Sequence, residues 1–95
     1  MVVGICHLDL FIAENHSLKE KRRILKSIIE RVKNKFNVSI AEVGHHDVWQ
    51  SAQIGLCIVG NDRRFINSSL DKTVSFIEQL GSAEIVKSEI ELLNF

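Results

Sequence analysis

The chain has 95 residues, 45% of them apolar and 25% charged, and this predicts one globular domain with no room for a second domain or an extended disordered region. Its 12 basic and 12 acidic residues give a formal net charge of zero, which weighs against a strongly basic nucleic-acid-binding domain. No window has the apolar length of a membrane span, and no basic residue precedes Lys19 as in a signal peptide, so we expect a cytoplasmic protein without a membrane partner.

The first element along the chain is a strand at Val2–Ile12. Its residues alternate between two faces, with the two-residue period of a β-strand. The face that we expect to be buried carries Gly4, Cys6, Leu8, Leu10 and Ile12. The opposite face carries Val3, Ile5, His7, Asp9 and Phe11.

A helix follows at Ser17–Phe36. Its apolar residues recur at helical spacing in one stripe, which consists of Leu18, Leu25, Ile28, Ile29, Val32 and Phe36. Ser17 and Glu20 have the spacing of a capping box, in which each side chain accepts a hydrogen bond from the other residue's backbone N–H. The pattern therefore predicts both where the helix begins and which side of it is buried.

The remaining elements are strands at Val38–Val43 and Ser51–Val59, a helix from Gly60–Asp62 to Leu80, and a strand at Ala83–Leu93. The loop sequence GHHDVWQ separates the two middle strands. Gly81 follows the second helix directly and is a typical C-terminal stop.

The element order is therefore βαββαβ, which is the signature of a ferredoxin-like α+β fold. Since crossovers are right-handed, the favoured arrangement is a four-stranded antiparallel sheet of order 4-1-3-2 with two helices on one face. A different α+β sandwich is the alternative. In the favoured topology, Ser17–Arg23 and His45–Gln50 reach the same end of the sheet, and we expect them to be neighbours.

The first helix carries most of the positive charge of this neutral chain. Residues 19–35 contain eight of the 12 Lys and Arg residues and two acids, which is a net charge of +6 against −6 elsewhere. Basic residues in a first helical turn oppose the helix dipole at ~0.3–1 kcal/mol each, and few acids lie at pairing distance along the helix. We therefore expect an RNA-binding or anion-binding surface rather than a merely solvated face. Its candidate residues are Lys19, Lys21, Arg22, Arg23, Lys26 and Lys33.

The loop GHHDVWQ adds His45, His46 and Trp49 to this candidate site. No metal site is expected, because adjacent histidines rarely point at one ion and the spaced ligands of a zinc signature are lacking. Trp49 has two interpretations. A cover over the end of the core is favoured, and a stacking platform for single-stranded RNA is the alternative.

Three segments together resemble the YlxP-like family of small bacterial proteins, and the resemblance covers nearly the whole chain. The segments are SLKEKRRILKSIIERVKNKFNVSIAEVGHHDVWQSAQIG, GNDRR and FIEQLG. The resemblance implies a ferredoxin-like fold, an unestablished activity and no assigned catalytic residue. It also implies association with RNA or the ribosome, because members are often encoded beside translation initiation factor two and ribosome-binding factor A. Relatives often have a basic residue where this chain has Ser51.

The sheet face without helices is expected to be too apolar for solvent and too polar for a core. We expect it to bury against a second copy of the chain, so that the protein is a homodimer. Cys6 lies on the opposite face from Cys57, so no disulfide between them is expected. The candidate interface residues are Ile5, His7, Phe11, Cys57 and Ile85.

No catalytic residue and no cofactor is expected. His7 and Asp9 share one strand face without a nucleophile paired to them, and AENH lacks the glycine with which acylphosphatases of this topology cradle phosphate. The sequence predicts a non-enzymatic cytoplasmic protein that binds RNA or the ribosome through its first helix. The alternatives are a homo-oligomeric interaction module whose basic helix meets an acidic protein surface, and an uncharacterised enzyme.

Overall fold

A computed structural model describes all 95 residues of the chain, from Met1 to Phe95. Its six elements are β1 (Val2–Phe11), α1 (Leu18–Lys35), β2 (Ser39–Gly44), β3 (Ser51–Gly60), α2 (Arg63–Leu80) and β4 (Glu84–Asn94). The predicted βαββαβ order is confirmed, with boundaries close to those expected. Neither helix is long and apolar enough to cross a membrane.

The four strands form one antiparallel sheet in the order β2-β3-β1-β4, which confirms the predicted ferredoxin-like topology. The alternation in β1 determines the two faces, because it lies in the interior of the sheet. Cys6 pairs with Leu56 of β3 on one side and with Ile90 of β4 on the other. The edges of the sheet are β2 and β4.

The core lies between one sheet face and the two helices. Each burial of a Leu or Ile side chain contributes about 1.5–3 kcal/mol, so the apolar stripes of α1 and α2 hold the helices on the sheet. The buried apolar residues from these elements include Cys6, Leu8, Leu10, Leu25, Ile28, Val32, Ile54, Leu56, Ile66, Leu70 and Ile77.

The start of α1 has a modified capping box. Ser17 Oγ accepts a hydrogen bond from Glu20 N at 3.1 Å, as predicted. The Glu20 carboxylate, however, accepts from His16 N at 3.3 Å instead of from Ser17 N. The reciprocal bond therefore goes to the preceding residue, and the Glu20 side chain is held back over the helix start.

The open face is the face of the sheet that the helices do not cover. One prediction about it is wrong, because β4 contains a bulge. Its register shifts so that Asp9 pairs with Lys87 while Leu10 pairs with Ile85. An extra residue in one strand reverses the alternation of faces beyond it. Ile85 therefore packs against the core and is not an interface residue of the open face.

The other predicted interface residues lie on the open face. Ile5 is directly opposite Cys57, and His7 and Phe11 follow Ile5 at two-residue spacing in β1. Cys6 lies on the buried face, and neither cysteine is in a disulfide, as expected. Burial raises the pKa of the Cys6 thiol, so this side chain behaves as a small apolar group.

The close packing of α2 on β1 gives a testable consequence at Gly4. A Cβ atom there would lie 2.4 Å from Ile66 Cγ2, so Gly4→Ala is expected to destabilise the protein by ~1–3 kcal/mol through overpacking. Gly55→Ala is the control, because its Cβ would meet the exposed Val43 side chain, which can move. Urea unfolding compares the two variants, and equal midpoints would contradict the close approach.

Candidate functional site

The start of α1 and the β2–β3 loop meet at one end of the sheet, which confirms the expectation from topology. Ile12 N donates a hydrogen bond to Gln50 O at 2.9 Å, and the Asn15 side-chain amide donates to Trp49 O. Asn15 is only 2% exposed, and its Oδ1 lies 3.5 Å from Ser17 N. One buried side chain thus connects the loop to the helix cap.

Lys21 is buried at this junction, with 1% of its side chain exposed. Its Nζ donates to the backbone carbonyl of His45 and lies 3.2 Å from Oε2 of Glu42. That carboxylate oxygen is itself buried and accepts no hydrogen bond, so Lys21 is its charged partner. A buried ammonium needs such partners because an isolated charge is costly to remove from water. The prediction that Lys21 binds RNA or another external anion is therefore wrong, since the Lys21 ammonium is buried and connects α1 to β2.

His45 offers its carbonyl to Lys21 because the backbone turns there. Its φ of 58° lies in the left-handed region, which is costly for a residue with a side chain. Val48 N also donates to the His45 carbonyl at 3.1 Å, and His45 Nδ1 lies 2.8 Å from Ser51 Oγ. These contacts offset the backbone strain and hold the loop in one shape. His46 is exposed.

The remaining predicted cations are exposed along α1. We call them the basic stripe, and it consists of Lys19, Arg22, Arg23, Lys26 and Lys33. At 100° per residue they share one side of the helix, over a length of about 21 Å at 1.5 Å per residue. Glu30 falls on the same side.

No member of the basic stripe is in an ion pair. The ion pairs of the structure are Lys21–Glu42 and Lys87–Glu89, and His7 Nδ1 lies 3.8 Å from Asp9 Oδ1. The intrahelical pairs that the spacing allows, Lys26 with Glu30 and Glu20 with Arg23, do not form. The stripe is therefore a row of five cations without ion-pair partners, and these five cations with the one acid Glu30 on the same side give a local charge of +4 on a chain whose total charge is zero.

Trp49 does not cover the core, so the favoured interpretation of this residue is wrong. It is 52% exposed, and the neighbouring Val48 is 45% exposed. The physical reason is that the loop lies beyond the end of the sheet. Its contacts with the rest of the fold run through backbone carbonyls, while the apolar side chains remain in solvent.

Asn15 and Glu42 were not identified from the sequence as site residues, although the position of Glu42 in β2 indicates its role. Glu42 follows Ile40 at two-residue spacing in β2, which places an acid on the inward face of that strand. Lys21 lies three residues after Leu18 and four before Leu25, which is a position of the apolar stripe. An acid and a lysine at inward positions of adjacent elements together indicate a buried ion pair. Asn15 in a connecting loop gave no comparable signal.

Other sites offer little chemistry. No group of three or more His, Cys, Asp or Glu side chains is arranged to hold a metal ion. A groove of about 420 Å³ lies between α2 and the C-terminal end of α1, whereas the β2–β3 loop meets the start of α1. Lys35 at its edge has Nζ 4.8 Å from the centre of the Phe76 ring, so this cation is engaged within the fold.

Comparison with known proteins identifies relatives of the chain. A family model described as "Protein of unknown function (DUF503)" matches residues 3–90. The chain is also 39% identical over 83 residues to the uncharacterized protein YlxP of Bacillus subtilis (strain 168), and the match covers 87% of this chain and 90% of that protein.

Solved structures share the fold at low sequence identity. The de novo designed protein Foldit4 matches with a TM-score of 0.57 at 18% identity, over 100% of this chain and 99% of that one. The C-terminal domain of a cyclometallase involved in the synthesis of the NPN cofactor of lactate racemase matches with a TM-score of 0.51 at 9% identity, over 98% and 55% of the two chains. At these identities the likeness concerns the fold alone.

Removal of the Lys21 ammonium is expected to destabilise the fold. Lys21→Ala leaves the Glu42 carboxylate without its charged partner, and the side chain of Glu42 is only 21% exposed, so that water replaces the ammonium poorly. The variant also removes one of the two donors to the His45 carbonyl, the other being Val48 N. We expect a loss of ~2–4 kcal/mol in the free energy of unfolding. Urea titration measures it.

Two further variants make this test specific. Lys19→Ala is the matched control, because Lys19 is exposed two residues earlier on the same helix and is expected to change stability by less than ~0.5 kcal/mol. The double variant Lys21→Met with Glu42→Leu is expected to recover most of the loss, since it removes both charges. A Lys21→Ala protein as stable as Lys19→Ala would contradict the buried ion pair.

Proposed function

The chain belongs to the DUF503 family of proteins of unknown function, in agreement with its resemblance to the YlxP-like family. We propose that it is a non-enzymatic cytoplasmic protein that binds RNA on the ribosome. The basic stripe of α1 is the binding surface in this proposal. The observation that carries it is a run of exposed, unpaired cations on a chain of zero net charge. Such arrays of Lys and Arg provide most contacts to phosphate.

The position of the cations supports a binding role over a purely structural one. Lys21 has a structural reason to be basic, because it pairs with Glu42 inside the fold. Lys19, Arg22 and Arg23 have no such partner, and Lys19 lies in the first turn of α1, where the helix dipole disfavours positive charge. Cations that oppose local stability and have no partner within the fold are expected at positions where they serve a function. Phosphate groups supply the missing negative charge.

The rival proposal is an acidic protein partner. The chain carries −6 outside residues 19–35, and Glu84 and Glu91 of β4 are exposed, so a second copy offers an acidic strand. An RNA backbone fits the observations better, because its regularly repeated charge matches a stripe about 21 Å long. An acidic strand of this chain would present the stripe with only a few carboxylates, and the Glu89 carboxylate of that strand already pairs with Lys87.

Charge reversal tests RNA binding. The variant with Lys19, Arg22, Arg23 and Lys26 replaced by Glu is expected to fold and to lose association with RNA and ribosomal subunits. If the RNA is single-stranded, the salt dependence of binding should flatten by ~0.7 log units for each phosphate that the variant no longer neutralises. Co-sedimentation with ribosomal subunits and binding to labelled RNA across a salt series measure both effects.

The matched control reverses four cations outside the stripe, namely Arg31, Arg63, Arg64 and Lys72, all of which are exposed. It has the same total charge as the test variant, so retained binding shows that the stripe matters rather than net charge. Binding that survives the stripe reversal with an unchanged slope would reduce the stripe to a solvated face. Retained RNA binding with loss of self-association would favour the acidic-protein rival.

We further propose that two copies of the chain pair through the open sheet face. At one end of this face, Val3 is directly opposite Val59 on one side and Leu93 on the other. Val59 is 61% exposed, and Ile5 and Phe11 further along β1 are each 39% exposed. An apolar row of this kind is expected to be covered in solution.

The middle of the same face is charged. Asp9 Oδ1 is buried but has no hydrogen-bond partner, and His7 Nδ1 lies 3.8 Å from it. An unsatisfied buried carboxylate oxygen is costly, so a donor from outside the chain is expected to reach it. Lys87 lies on this face as well, where it pairs with Glu89, and in a two-fold dimer its ammonium is a donor that the second copy can present to Asp9.

Dimerisation is tested by placing charge in the apolar part of the face. Ile5→Asp combined with Phe11→Asp is expected to give a folded monomer, measured by size-exclusion chromatography with light scattering. Phe65→Asp is the control, because Phe65 is 64% exposed on α2 and lies away from this face. A wild-type protein that stays monomeric at high concentration would rule the dimer out.

A further inference from the structure

Trp49 combines a fixed backbone with an exposed ring. Its carbonyl accepts a hydrogen bond from the amide of Asn15, which is 2% exposed, and the next carbonyl, of Gln50, accepts from Ile12 N at 2.9 Å. The other end of the loop is held by the bond from Lys21 to the His45 carbonyl. The 52% exposure of Trp49 therefore occurs in a loop that is bonded at one end to α1 and at the other end to the segment between β1 and α1.

An indole in this position contributes little to folding. Aromatic side chains stabilise proteins by burying about 150–250 Å², and about half of this ring remains in water. The loop is held by backbone carbonyls, which any side chain at this position would preserve. The ring is therefore available as a preformed, apolar surface, and its orientation requires no ordering of the loop upon binding.

Unpaired cations follow, along the chain, the residue that anchors Trp49. Asn15, which binds the Trp49 carbonyl, precedes Lys19 by four residues, and Arg22 and Arg23 lie in the following turn of α1. None of these three cations has an acidic partner. Proteins bind single-stranded nucleic acid by stacking a base on an exposed aromatic ring while cations contact the phosphates, and Trp49 and the start of α1 provide both kinds of group at one end of the sheet.

We infer that the RNA bound by the basic stripe is single-stranded at its Trp49 end, with one unpaired base stacked on the indole and its phosphates on Lys19, Arg22 and Arg23. This inference rests on the proposed RNA-binding function and adds the class of RNA. In a duplex the faces of the bases are already stacked on one another, so a duplex offers Trp49 no free base. Loss of one base–aromatic stack is expected to weaken binding by about 10- to 100-fold.

The composition of the chain makes the inference directly measurable. Trp49 is the only tryptophan and the chain has no tyrosine, so the intrinsic fluorescence reports on this loop alone. The probes are an oligoadenylate, an RNA hairpin of equal length, and inorganic polyphosphate, which has the charge without bases. Anisotropy of labelled RNA, or competition against it, measures binding itself independently of the indole.

The expected result is that oligoadenylate quenches Trp49 emission and binds more tightly than the hairpin, whereas polyphosphate binds without comparable quenching. Trp49→Ala should weaken oligoadenylate binding by about 10- to 100-fold and leave polyphosphate binding unchanged, and Trp49→Phe should restore most of the loss. Val48→Ala is the control, because Val48 is a neighbouring exposed apolar residue of the same loop.

Two groups of results would overturn the inference, and they differ in their meaning. If oligoadenylate binds by anisotropy with no quenching, or equally well to Trp49→Ala, the base does not stack there, although RNA binding by the stripe stands. The same holds if the hairpin binds more tightly than the single strand. If neither RNA binds at low salt, the proposed function fails and the inference fails with it.

Discussion

The buried ammonium of Lys21 is the contact on which one whole end of the molecule depends. It connects three parts of the fold, namely the first turn of α1, the Glu42 carboxylate of β2 and the His45 carbonyl of the following loop. Because the ammonium is 1% exposed, none of its partners can be exchanged for water without cost. The loop is thereby fixed against the helix, and Asn15 fixes its other end. The relation between Trp49 and the cations of α1 follows from these bonds.

The motif SLKEKRR therefore contains two kinds of basic residue with opposite roles. One lysine points into the fold and is neutralised there, while its neighbours at Lys19, Arg22 and Arg23 point outward and remain unpaired. Helical periodicity produces this separation, since residues one or two positions apart lie on different sides of a helix. The inward lysine stabilises the helix start on the sheet, and the outward cations remain exposed. A neutral chain thus obtains a locally positive surface on a firmly held helix.

The open sheet face depends on a different constraint, the bulge in β4. Without it Ile85 would lie on the open face, and the face would be more apolar at its Phe11 end. With the bulge, Ile85 joins the core and Lys87, Glu89 and Glu91 line the open side of β4. The face is consequently apolar at the Val3 end and charged in the middle. In the proposed dimer, this polarity would favour one pairing of the two copies, because a register slip would set apolar rows against charges.

The sequence by itself determined the six elements, their order and the antiparallel sheet, because hydrophobic period and caps are local properties that the chain displays directly. It also placed the α1 start beside the β2–β3 loop, since topology alone dictates which loops share an end of the sheet. Only the tertiary structure decided that Lys21 is buried, that Trp49 is exposed and that Ile85 faces the core. Each of these depends on another part of the fold. Lys21 is buried because a carboxylate and a carbonyl meet it, and Trp49 is exposed because no segment covers it. Ile85 faces the core because an extra residue shifts the register of β4. Periodicity assigns a residue to a face, but the partner across the interface decides whether a charge there is neutralised or left free.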